Sequence, residues 1–241
     1  MAEMMPRATS RGACALALWL GLSGFAASEP ASLEAYERSA AAFADGLALA
    51  GRGLDAEAAS AYSEAIRLDA GFVEAMVNLA RVRLRQGQAA PARELLDRAL
   101  ALAPGYPPIF AVRGLEARQR GDLNGALRDF SRARALDPTN AEVLANLGAV
   151  LVELGFDRDA RDALDDARRL APERPEPALS LALLFDRKGD RLRAAFFYDQ
   201  FLRLAGTGDP DRANVEARLS QLDPRAVKVA PTVSETSETG H

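Results

Sequence analysis

Residues 73–106 read VEAMVNLARVRLRQGQAAPARELLDRALALAPGY. In the first fourteen, Val73, Met76, Val77, Leu79, Ala80 and Leu84 recur at the spacing of one helical face. Gly87 predicts the stop, because glycine takes the left-handed conformation of a helix C-terminus at little steric cost. Residues 89–102 form a second helical pattern. Pro91 lies near its start, where the first N–H groups have no intrahelical acceptor, and Pro104 prevents continuation. Small Ala80, Ala92 and Ala99 let the two helices approach closely, while Leu96 fills the space between them. The stretch is a helix, a turn and a second helix.

The same pattern recurs on both sides at a period of 34 residues, the spacing of Pro104, Pro138 and Pro172. Gly53, Gly87, Gly121, Gly155 and Gly189 keep that period, as do Ala58, Ala92, Ala126, Ala160 and Ala194. Ala65, Ala99, Ala133 and Ala167 continue it until Phe201 replaces the fifth alanine. One column is large (Tyr62, Leu96, Phe130, Leu164, Tyr198) and another small (Gly46, Ala80, Gly114, Gly148, Ala182). A single helix pair cannot bury its apolar face alone, so successive units are expected to stack around one continuous core. The expected fold class is all-α: a right-handed α-solenoid of about five helix-turn-helix units.

On these columns the sequence resembles the tetratricopeptide repeat family. The units are 39–72, 73–106, 107–140, 141–174 and 175–208. The fourth carries the family pattern best, with Leu144, Leu147-Gly148, Leu151, Ala160, Leu164, Ala167 and Pro172. The third has Phe110, Gly114, Ala126, Phe130, Ala133 and Pro138, but Arg113 where leucine is usual. The first has Asp45 in place of that leucine and Ala70 in place of the final proline. The fifth has Phe201 and Gly206 where alanine and proline are usual, and terminal units are expected to be atypical.

The flanks complete the stack. Residues 29–38 are expected to extend the first helix, with Ser32 as cap and Pro30 before it. Residues 209–222 read as a C-terminal capping helix, with Asp209 as N-cap and Pro210 in the first helical position. Its Val215, Leu219 and Leu222 are expected to face inward. Residues 223–241, rich in Ser, Thr and Glu without large apolar periodicity, are expected to be disordered.

In the family this chain resembles, the first helices line a concave groove that holds partners as extended peptides or helices. The resemblance places Val77, Asn78, Arg81, Leu84, Arg85, Val112, Leu115, Arg118, Gln119, Asn146, Ala149, Val152, Glu153, Leu183 and Asp186 in that groove. Arg81, Arg85 and Arg118 lie toward its N-terminal half, and Glu142, Glu153, Glu176 and Asp186 toward its C-terminal half. An apolar floor with opposite charge at its ends suits an amphipathic or dipolar peptide. Some relatives grip a C-terminal carboxylate with Lys and Asn; Asn78 and Asn146 match, but Val77, Ala111 and Ala145 stand at the lysine positions. That argues against such a clamp. The expected partner is therefore a protein or peptide segment.

Composition narrows the chemistry. The single histidine is His241 and the single cysteine is Cys14. This leaves no Ser-His-Asp or Cys-His set and no zinc site with the usual ligands. No glycine-rich phosphate loop is present, so neither catalysis nor a cofactor or metal site is expected. The carboxylates Asp157, Asp159, Asp162, Asp165, Asp166, Glu57 and Glu64 stand among arginines such as Arg158, Arg161, Arg168 and Arg169, as on a charged outer surface. The net charge of −4 gives no general footprint for nucleic acid. Phe196, Phe197 and Tyr198 read as packing of the final unit and as the best alternative surface for self-association.

Residues 1–27 read as a secretion signal: Arg7 and Arg11, an apolar run from Ala13 to Ala27, and a small-residue end. The run is shorter than the ~20 residues of a spanning helix. The expectation is an exported scaffold or adaptor, periplasmic or secreted if the source is bacterial. It would serve an envelope assembly, secretion or maturation complex. An uncleaved leader would instead anchor it to the inner membrane, its one expected membrane contact.

Overall fold

The computed structural model describes residues 33–222. These form α1 (Leu33–Gly51), α2 (Asp55–Leu68), α3 (Val73–Arg85), α4 (Ala89–Leu102), α5 (Pro107–Gln119) and α6 (Leu123–Leu136). Then follow α7 (Ala141–Leu154), α8 (Asp157–Leu170), α9 (Glu176–Arg187), α10 (Arg191–Leu204) and α11 (Arg212–Leu222). Each odd helix packs against the even helix after it, and each even helix against the next odd one, so five hairpins stack in chain order. The result is an all-α solenoid closed by α11. The leader expected at 1–27, with Pro30 and Ser32, and the tail expected at 223–241 lie outside the described residues.

The repeat columns are its structural joints. Gly53, Gly87, Gly121, Gly155 and Gly189 all have positive φ, between 72° and 83°, and each turns one helix into its partner. Asp122, Asn140 and Asp190 accept hydrogen bonds from the backbone N–H groups of Gly125, Val143 and Arg193, capping α6, α7 and α10. The alanine columns are fully enclosed, and Phe201 is buried in the fifth unit where the others have alanine. Opposite them, Tyr62, Leu96, Phe130, Leu164 and Tyr198 fill the centres of the hairpins. At Gly114 a Cβ would stand 2.7 Å from the Phe130 ring, and at Gly148 2.5 Å from Leu164. The small column is what lets the large one pass.

Among the described residues, one buried side chain is charged. Glu116 on α5 stands where the neighbouring units have Val82, Val150 and Leu184, and it is buried. Its Oε1 accepts from Arg93 Nη2 on α4 at 2.5 Å and pairs with Arg120 Nε at 2.9 Å. A buried carboxylate is tolerated when it is paired and hydrogen-bonded.

The end of the stack differs from expectation in one detail. The last helix begins at Arg212 and not at Asp209. Asp209 instead accepts from Asp211 N–H, a turn closed by its own side chain two residues on. Val215 and Leu219 are buried as expected, and Leu222 is half-buried.

Candidate peptide-binding groove

Consecutive first helices touch directly, α3 to α5, α5 to α7 and α7 to α9, and so form the inner wall of the solenoid. Arg81, Leu84, Arg85, Leu115, Arg118 and Gln119 surround a depression of about 530 Å³ on that wall. A second depression of about 360 Å³ lies where α9 meets α11, among Leu179, Leu183, Tyr198, Val215 and Arg218.

The predicted groove residues divide by burial. Val77, Leu84, Val112 and Val152 are buried. This corrects the expectation that they form an open floor: adjoining first helices press together there, and these side chains fill the joint. Leu115 and Ala149 are half-buried, Leu183 is half-exposed, and Arg118, Gln119 and Glu153 are exposed. Asn78 and Asn146 donate their side-chain amides to the carbonyls of Glu74 and Glu142, one turn back. Their carbonyl oxygens remain as acceptors.

The charges are arranged differently from the expected opposite poles. Arg81 pairs with Glu142, so a guanidinium from α3 reaches α7, two units on. Arg118 donates to Glu153 at 2.7 and 2.9 Å. Arg85 donates to Asp55 at 2.6 and 2.9 Å, and Arg218 donates to Asp186 at 2.6 and 2.7 Å. Asp186 also accepts from the Tyr198 hydroxyl at 3.1 Å. Apart from Glu176, which pairs with Arg174 just before α9, the groove's basic and acidic residues therefore neutralise one another or close on neighbouring helices. Sequence reasoning missed Asp55 and Arg218 as partners. A signal was present for one of them: Asp55–Arg85 joins the first hairpin to the second at the same register at which Asp157–Arg187 joins the fourth to the fifth, and both pairs form.

These pairs shift proton affinities. The Arg218 hydrogen bonds hold the Asp186 carboxyl below the usual carboxylate range, with Tyr198 adding to the effect. Burial pushes the Tyr198 hydroxyl upward, and the Asp186 charge acts in the same direction. An acid whose folded pKa is depressed adds stability above its unfolded pKa of about 3.9, and that stability is lost as pH falls through the folded value. Asp186→Asn is therefore expected to melt below the wild type at pH 7. The gap should close progressively below about pH 4, read as melting temperature against pH.

The acidic residues outside the groove are mostly paired as expected on a charged surface: Asp165 with Arg161 and Arg168, and Asp166 with Arg169. Asp157 does more, holding both Arg187 and Lys188 and so tying the fourth hairpin to the fifth. Among the described residues, no group of three His, Cys, Asp or Glu side chains could hold a metal ion. No helix there is long and apolar enough to cross a membrane.

Comparison with known proteins agrees with this geometry. A tetratricopeptide repeat model matches residues 55–115 and a TPR repeat model matches 114–155. Tetratricopeptide repeat protein 36 of Bos taurus is 38% identical over 120 residues, covering 47% of this chain and 62% of its own. The chain spans less than two thirds of the length of the curated relatives it matches. Among solved structures, PilF of Pseudomonas aeruginosa superposes with a TM-score of 0.67 at 22% identity, covering 80% of this chain and 89% of that one. PilW, a type IV pilus biogenesis factor, superposes with a TM-score of 0.68 at 16% identity, covering 78% and 88%. These likenesses establish the solenoid fold. Across residues 55–155 the chain matches tetratricopeptide repeat models.

Proposed function

We propose that this tetratricopeptide-repeat chain is an exported, non-enzymatic scaffold whose inner groove holds a peptide segment of a partner protein. The observation that carries the reading is the strip along the inner wall. Leu115, Asn146 and Leu183 are partly open to solvent there, between arginines already closed onto carboxylates. Such a strip recognises apolar side chains and peptide amides more than net charge. The leader pattern at 1–27 supports export. The likeness to a pilus biogenesis factor supports a place in a bacterial envelope assembly, secretion or maturation complex.

Photo-crosslinking in the source cells tests the groove. A crosslinker at Leu115 or Leu183 is expected to trap a discrete partner, whereas one at exposed Arg128 on the outer face is not. Equal yields from both faces, or none from the groove, would overturn the reading. Fractionation with N-terminal sequencing tests export: the mature chain should begin after Ala26, Ala27 or Ser28.

Salt gives an independent check. Exposed ion pairs are screened by salt, but these are already satisfied within the protein. The affinity for a captured peptide is expected to change by less than about threefold between low and physiological ionic strength. A steep salt dependence, read by isothermal titration, would mean that the partner is recognised by charge.

A further inference from the structure

The outer face of α10 opens with Leu192 and Phe196, which are 86% and 60% exposed. They lie one turn apart and present one surface. The repeat supplies four internal controls. At the same register the other second helices carry Ala56 and Ser60, Ala90 and Glu94, Asn124 and Arg128, and Arg158 and Asp162. Only the last hairpin makes this outward pair large and apolar.

The pair is firmly backed. The Phe196 ring meets Phe197 edge-on at 5.1 Å, and Phe197 stacks on Phe185 at 5.6 Å. The Arg168 guanidinium lies 5.0 Å over Phe197, and the Arg193 guanidinium 4.4 Å over Phe185. Phe196 is thus the outermost member of an aromatic ladder pinned by two cations. Such contacts hold a ring in place and lower the entropy lost when it is buried.

The surrounding charge indicates what covers it. The rest of the same stripe carries Arg158, Asp162, Asp165 and Arg169 on α8, and Asp199 and Arg203 on α10, three of each sign, flanked by exposed Asp159, Arg161, Arg191 and Arg193. An acidic or basic partner would meet like charges at half of the stripe's charged positions. A two-fold rotation of the same surface can set arginine against aspartate on both sides of the apolar centre.

We infer that the outer face of α8 and α10, centred on Leu192 and Phe196, is a homodimer interface built around a two-fold axis. It lies on the opposite side of the solenoid from the groove, so two copies would present two grooves. This inference does not depend on what the groove binds.

The test is the mass of the purified protein, expressed from the full sequence, by light scattering and sedimentation from about 1 to about 100 μM. The wild type should pass from monomer to dimer across that range or be dimeric throughout. The double variant Leu192→Arg, Phe196→Asp places the fourth hairpin's residues at the same register. It should keep the wild-type circular dichroism and weaken association by at least about a hundredfold. Leu192→Ala, the milder change, should weaken it by about tenfold. A wild type that stays monomeric overturns the inference, as it would if another segment of the chain or a different protein covered the patch. A dimer that survives the double variant unchanged overturns it equally, because association would then run through another surface.

Discussion

Ala126→Trp is expected to lower the melting temperature by about 6–12 °C, or to leave the third hairpin unfolded. Ala126 has no exposed surface and sits in α6 beside Phe130, in the cluster that also holds Ala117, Leu147 and Val150. Close-packed interiors leave no room for an indole, so the helices must separate or the side chains must leave their preferred rotamers. The cost should be about 3 kcal/mol or more, at the upper end of overpacking effects. The exposed Arg128→Trp, two residues on, supplies the control and should change stability by no more than about 0.5 kcal/mol. In a stacked array each unit contacts only its neighbours, so hydrogen exchange should place the damage in α5, α6 and α7. An Ala126→Trp protein that melts with the wild type would mean that this column does not face the joint.

The second large effect concerns Glu116, and its sign depends on which partner is removed. Replacing Arg93 and Arg120 together by methionine keeps their apolar stems but strips the buried carboxylate of both cations. A buried carboxylate left without its cations is destabilising, so this variant should unfold at clearly lower urea concentration. Glu116→Val removes the charge itself and installs the residue found at the same register as Val82 and Val150. Exchanging a buried ion cluster for an apolar residue is neutral or stabilising, by up to about 4 kcal/mol. Equal stability of the double-methionine variant and the wild type would show that the carboxylate reaches water. A strong loss in Glu116→Val would show that the arginines, and not the core, need the carboxylate.

Much of this organisation was legible before any coordinates. Helix starts and stops follow from local chemistry: glycine alone takes positive φ cheaply, proline blocks continuation, and apolar residues at helical spacing mark the buried face. These rules act over a few residues and recur each unit, so five hairpins and their alanine joints could be counted directly. They predicted the buried faces of α4, α6 and α8 because a second helix is covered on one known side. They failed at Asp209, where a side chain two residues from its backbone donor stabilised a turn in place of a helix start.

The groove was less legible. Its identity as the inner wall came from resemblance, but which of its residues are open depended on how tightly successive first helices meet. Val77 and Val112 look like floor in sequence and are joints in space, because the distance between units is set by side chains 34 residues away. Charge was misread for the same reason. Arg81, Arg118 and Arg85 appear in sequence as a basic half, yet each finds its carboxylate 61, 35 or 30 residues off. Sequence alone therefore determined the period, the elements and the core columns, since those are short-range consequences of backbone sterics and apolar spacing. Only the tertiary structure decided which groove atoms meet solvent and which charges cancel, since both depend on the curvature with which the hairpins are stacked.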